Sequence, residues 1–86
     1  MAASEAKLRE IIGLMDMVIS DTSIPKNIRR AVSEARDTLR TNDEISTKLG
    51  SAVYSLEAVG EDINMPMHAR TQIWTILSAL ESIKTE

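Results

Sequence analysis

Asp21-Thr22-Ser23-Ile24-Pro25-Lys26-Asn27-Ile28-Arg29 and Asp62-Ile63-Asn64-Met65-Pro66-Met67-His68-Ala69-Arg70 are one phrase written twice, 41 residues apart. Asp, a small polar residue, an apolar residue, Pro and Arg recur in register. The agreement continues outward: Leu8 meets Leu49, Ile12 meets Val53, Met15 meets Leu56 and Val18 meets Val59. On the far side Val32 meets Ile73, Ala35 meets Ile76 and Leu39 meets Leu80. A period of this size suits a two-helix unit. Two copies are too few for an open solenoid, so the expectation is two hairpins closed on each other.

Four helices follow from the spacing of apolar residues at three- and four-residue intervals. The first is expected over Ser4 to Ser20, with Leu8, Ile11, Ile12, Met15, Val18 and Ile19 on one stripe and Ser4 as N-cap. Gly13 weakens its middle by about 1 kcal/mol relative to Ala, or admits a close neighbour. The second is expected over Pro25 to Arg40, burying Ile28, Ala31, Val32, Ala35 and Leu39. The third runs over Asp43 to Val59, burying Ile45, Leu49, Ala52, Val53, Leu56 and Val59, with Gly60 as a left-handed stop. The fourth runs over Pro66 to Ile83, burying Ala69, Ile73, Ile76, Leu77, Leu80 and Ile83.

The turns have their own chemistry. Pro lacks an N–H and fixes φ, which suits the start of a helix and pushes the preceding residue towards extended backbone. Asp21 and Asp62 are placed to cap the amides that follow, with Arg29 and Arg70 pairing with them across the turn. Asp21, Pro25, Arg29, Asp62, Pro66 and Arg70 are therefore read as a structural set. Thr41-Asn42-Asp43-Glu44 has the spacing of a capping box, with Glu44 reaching back to Thr41. No segment alternates like a strand. The fold class is all-α: a four-helix bundle of two tandem helical hairpins. Residues 1–86 make one domain, with hairpins over about 4–40 and 43–83.

Composition excludes several kinds of chemistry. The chain has no Cys and no Phe, one Trp and one Tyr. There is no disulfide framework and no thiolate ligand or nucleophile, and the core must be aliphatic plus Met. No apolar run reaches the ~18–20 residues of a membrane span, and Met1-Ala2-Ala3-Ser4-Glu5 lacks the basic and apolar parts of a signal peptide. The expectation is a cytoplasmic chain without a membrane partner. Net charge is −3, but residues 26–48 carry +2 and the remainder −5.

The helical phrase from Asp21 through Ile28-Arg29, Ala31, Ala35 and Leu39 resembles the second-helix signature of HEAT-type repeats. More of the chain is similar to a family of small archaeal proteins of uncharacterised function. That resemblance rests on Ser20 through Arg29, on Glu61 through Thr71, and on Ile73-Trp74. It implies an all-helical fold and an archaeal cytoplasm, and it brings no activity, ligand or catalytic residue.

Three functions compete. Asp21, Asn27, Arg29, Asp62, Asn64, His68 and Arg70 would meet if the two turns share one end of the bundle, and His with a carboxylate can act as an acid–base pair. A device present once per hairpin is better explained by bracing two turns, so no catalytic residue is expected. One His with scattered carboxylates gives no metal site, and no cofactor loop is present. Lys26, Arg29, Arg30, Arg36 and Arg40 form a basic surface on the second helix, suited to phosphate contacts in a nucleic-acid- or ribosome-associated role. Glu34 and Asp37 interrupt it, and it has no aromatic platform for bases. Tyr54 and Trp74 stand beside their buried stripes, where the first hairpin has Gly13 and Ser33. Trp74 shares a helix face with Met67, Arg70 and Ser78, and exposed Trp with Met and Arg has the composition of an interface centre. Trp74, Met67 and Tyr54 are therefore the candidate interface of a non-enzymatic module that binds a protein partner, a homo-oligomer being the simplest form.

Overall fold

The computed structural model describes residues 2–83, with side chains from 5 onward. Its helices are α1 (Ala2–Ser20), α2 (Lys26–Leu39), α3 (Ile45–Gly60) and α4 (Met67–Glu81). There are no strands among the described residues. α1 and α3 each pack against both α2 and α4, while the diagonal pairs stay apart. Short connections make sequential neighbours antiparallel, giving an all-α bundle of 36 × 19 × 19 Å.

The core is the inner stripe of each helix. Met15, Val18, Ile28, Val32, Ala35, Ala52, Leu56, Ala69, Ile73 and Ile76 are sealed from solvent, and Leu8, Ile11, Leu39, Leu49 and Leu80 are nearly so. Ile12, Ile19, Ile45, Val53, Val59, Leu77 and Ile83 pack at its edge. Ala31, expected inside, is half-buried. Ile24 and Met65, the apolar residues preceding each Pro, are buried plugs that close the core at the turn end. An isolated apolar residue in a polar turn carries no period, so it does not announce itself in the sequence. No polar side chain among the described residues is buried.

Helix ends differ from expectation in instructive ways. α1 begins at Ala2, so Ser4 falls inside its first turn rather than at the cap; the Ser4 side chain lies outside the described set. Pro25 and Pro66 are themselves the N-caps, with ψ of 146° and 152°, and neither helix has a side-chain cap. Asp21 and Asp62 lie four residues upstream of these caps. Their nearest amides are those of Ser23 and Asn64, within their own turns. The capping box does not form either. Glu44 is the N-cap of α3, but its side chain caps no amide and instead accepts from the Ser46 hydroxyl at 3.1 Å. Thr41 Oγ1 turns back to donate to the Thr38 carbonyl at 2.8 Å. Gly60 ends α3 without adopting positive φ. A Cβ on Gly13 would meet nothing within 4 Å, so no neighbour needs that space.

Candidate functional site

The antiparallel arrangement brings both Pro phrases to one end of the bundle, where they touch. Asp21 Oδ1 accepts from the Ser23 amide at 3.0 Å and from its hydroxyl at 2.6 Å. Asp62 Oδ1 accepts from the Asn64 amide at 2.8 Å. Each Asp uses its second oxygen for the other turn. Asn27 Nδ2 donates to Asp62 Oδ2 at 3.1 Å, and His68 Nε2 lies 3.3 Å from Asp21 Oδ2. Asn27 and His68 occupy the same place in the phrase, two residues past the Pro, so the cross-turn contact is made reciprocally.

These contacts hold both carboxyls below the ordinary aspartate value of 3.8. For Asp21 the Ser23 hydroxyl is the main cause, then the Ser23 amide, with His68 adding to them. For Asp62 the Asn64 amide leads, followed by Asn27. The two Arg residues do not pair with these carboxylates. Arg29 Nε donates to the Ile24 carbonyl at 2.9 Å. Arg70 donates to the carbonyls of Gly60 at 3.2 Å and Asp62 at 3.4 Å. Each guanidinium thus braces backbone that the turn leaves without an intrahelical partner.

Ser23, His68 and Asp21 meet here, but not as a catalytic relay. Ser23 Oγ and Asp21 Oδ2 both approach the same ring nitrogen, at 3.1 and 3.3 Å. A relay needs the hydroxyl on one nitrogen and the carboxylate on the other. The Ser23 proton is directed at Asp21 Oδ1, so the hydroxyl turns only its oxygen towards the ring. Among the described residues no three His, Asp or Glu side chains converge on a metal position.

The basic surface is divided. Arg36 Nη1 donates to Asp16 Oδ1 of α1 at 2.8 Å, and Asp37 lies within 3.4 Å of its Nη2. With Arg29 turned onto its own backbone, only Lys26, Arg30 and Arg40 remain outward without an ion pair to a described residue.

The apolar candidates are all outward. Trp74 is 58% exposed, Tyr54 76% and Met67 81%. Trp74 stands on the wall of an open groove of about 650 Å³ between α3 and α4, lined also by Glu57, Gly60, Glu61, Arg70 and Leu77. Tyr54 lies one helical turn before Glu57 on α3. A narrower cleft of about 210 Å³ between α1 and α4 holds Leu14, Met17, Thr71, Gln72 and Thr75. Leu14 and Met17 were not among the sequence candidates. They lie next to residues of the α1 stripe, and only the placement of α4 puts them at a cleft. No described helix is long and apolar enough to cross a membrane.

Residues 1–83 match the model of an uncharacterised protein family, UPF0147. A family protein of Archaeoglobus fulgidus is 43% identical over 79 residues, covering 92% of this chain and 91% of its own length. One from Methanocaldococcus jannaschii is 40% identical, covering 96% and 95%. Two crystal structures share the fold. A protein from this uncharacterised family from Thermoplasma acidophilum superposes with a TM-score of 0.92 at 26% identity, over 98% of this chain and 100% of its own. The unknown-function protein MMP1188 gives 0.88 at 40% identity, over 91% and 90%.

Proposed function

This chain belongs to the uncharacterised family UPF0147, and from that premise we propose that it is a non-enzymatic helical module of the cytoplasm. In this reading it binds another protein chain through the α3–α4 face that carries Trp74, Met67 and Tyr54. The observation behind this is the exposure of Trp74, 58% of whose surface faces solvent beside a groove while the core is complete without it. A single exposed apolar residue is ordinary. An indole, a thioether and a guanidinium on one helix face have the composition of a binding hot spot. Absence of Cys and of a membrane-spanning helix among the described residues agrees with a cytoplasmic setting. Self-association through the same face is the first form to test.

The nucleic-acid alternative draws on fewer cations than the sequence offers, since Arg36 is paired with Asp16 and Arg29 is engaged with Ile24. The two readings part in one experiment. The tagged full-length protein and its Trp74→Ala variant are used for capture from native lysate, with and without nuclease and at two salt concentrations. The mass of each is also measured in solution. Protein binding through the indole face survives nuclease and is lost in the variant, whereas phosphate contacts need the nucleic acid and do not need the indole. Unchanged mass and unchanged partners for Trp74→Ala would contradict it, and so would partners that leave with the nuclease.

A further inference from the structure

Equivalent places in the two hairpins are built from different chemistry. In the first, Asp16 on α1 faces Arg36 on α2, and the 2.8 Å ion pair bridges the two helices. Moved by 41 residues, Asp16 becomes Glu57, Arg36 becomes Leu77, Ser33 becomes Trp74 and Ser20 becomes Glu61. The second hairpin therefore keeps the carboxylate, adds another one turn later, and lacks the guanidinium. Glu57 makes no ion pair with any described residue. Arg70 lines the groove too, but its guanidinium is engaged with the Gly60 and Asp62 carbonyls and pairs with neither Glu57 nor Glu61.

We propose that the α3–α4 groove receives a basic segment of another polypeptide, one of whose arginine side chains sits beside Glu57 and Trp74 where Arg36 sits in the first hairpin. The proposal rests on the protein-binding reading and names the class of partner. Glu57 and Glu61 supply the acceptors for a charge-assisted bond. The indole of Trp74 supplies a face on which a planar, weakly hydrated guanidinium stacks. Leu77 offers apolar surface to the methylene stem of the incoming side chain. A groove of about 650 Å³ has room for it. Residues 49–83, which supply both walls, carry Glu57, Glu61, Asp62 and Glu81 against Arg70 alone, a balance that draws a basic segment in and opposes an acidic one.

Trp74 is the chain's single Trp, so its fluorescence reports on the groove directly. The purified full-length protein is titrated with hexa-arginine amide, and with hexaglutamate as the opposite charge. The expected result is a saturable change in emission with hexa-arginine only. Binding should weaken at least tenfold in the Glu57→Gln/Glu61→Gln double variant and persist in Glu34→Gln/Asp37→Gln, which removes exposed carboxylates of α2. All four side chains are exposed, Glu61 at the C-cap of α3 and the others on their helices, and circular dichroism checks that the fold is kept. No saturable change overturns the proposal, as does equal binding by the two double variants, which would mean attraction to net charge alone. Emission that shifts with the protein's own concentration and ignores the peptide would also overturn it, placing a second copy in the groove. In that case Trp74→Ala still loses its partner and the protein-binding reading stands; if Trp74→Ala keeps every partner, that reading falls as well.

Discussion

The α1–α2 and α3–α4 helix pairs, 41 residues apart in the sequence, differ in what joins their outer faces. The first is bridged by the ion pair of Asp16 and Arg36. The second is open, with Glu57 facing Leu77 and Trp74. Beneath them the packing is alike: Met15 and Leu56 are both fully buried, as are Val32 and Ile73, and Ala35 and Ile76. The interior has to exclude water in both hairpins, which keeps apolar residues in register. No such demand acts on the outer positions, and there the hairpins diverge. Buried positions change size, as from Ile28 to Ala69 and from Ala35 to Ile76, but stay apolar; the exchange of charged and polar residues for apolar ones is on the outside.

The strongest challenge to this comparison is in the core. Ile28 is fully buried, and its counterpart Ala69 is already small and equally buried. Ile28→Ala should cost ~2–5 kcal/mol by urea unfolding, as large-to-small core substitutions do. A cost well below that would mean that the first hairpin tolerates the smaller residue as the second does.

A gentler alteration gives the first helix pair the residue that the second carries at the Arg36 position. Arg36→Leu removes the ion pair with Asp16, whose side chain is 47% exposed. Solvent screening keeps the expected loss to about 1 kcal/mol or less. Thermal unfolding at low and high salt measures it, and the difference from wild type should shrink as salt rises. Trp74→Ala should alter stability by only about 0.5 kcal/mol, as surface substitutions usually do, while abolishing partner capture. A large destabilisation would make the indole part of the core and weaken its role at the surface.

The shared turn end responds to acid. Asp21 and Asp62 titrate below the ordinary value of 3.8 in the folded chain. A carboxyl lowered by folding stabilises the fold above its unfolded pKa, and that contribution is lost as pH falls through 3.8 towards the depressed value. Melting temperature should therefore drop on acidification below about pH 4. The drop should be smaller in Asp21→Asn and Asp62→Asn, and similar in the two because their contacts are reciprocal. An identical acid profile in both variants and wild type would show that neither contact bears on stability.

The bundle was legible because apolar residues at helical spacing over 14–19 residues leave little choice of face. Pro25 and Pro66 marked the helix starts to within one residue, since a missing N–H and a fixed φ are local properties. What the Asp residues bind was not legible. Capping depends on which amide lies within reach, and with Pro at the cap the nearest belongs to Ser23 or Asn64, inside the turn. The bonds from Asn27 to Asp62 and from His68 to Asp21 join residues far apart in sequence, and only the closed bundle brings them together. Trp74 was legible as a residue off the stripe. Its groove was not, because that depends on what α3 places opposite it.

Amide spectra of the nitrogen-labelled full-length protein, recorded against rising hexa-arginine amide, test the central claim most directly. The difference between the two helix pairs predicts shifts concentrated at Glu57, Gly60, Glu61 and Leu77 and at the Trp74 indole, with Asp16, Ser33 and Arg36 unmoved. Shifts of equal size around Asp16 and Arg36, or spread evenly over every exposed carboxylate, would contradict it.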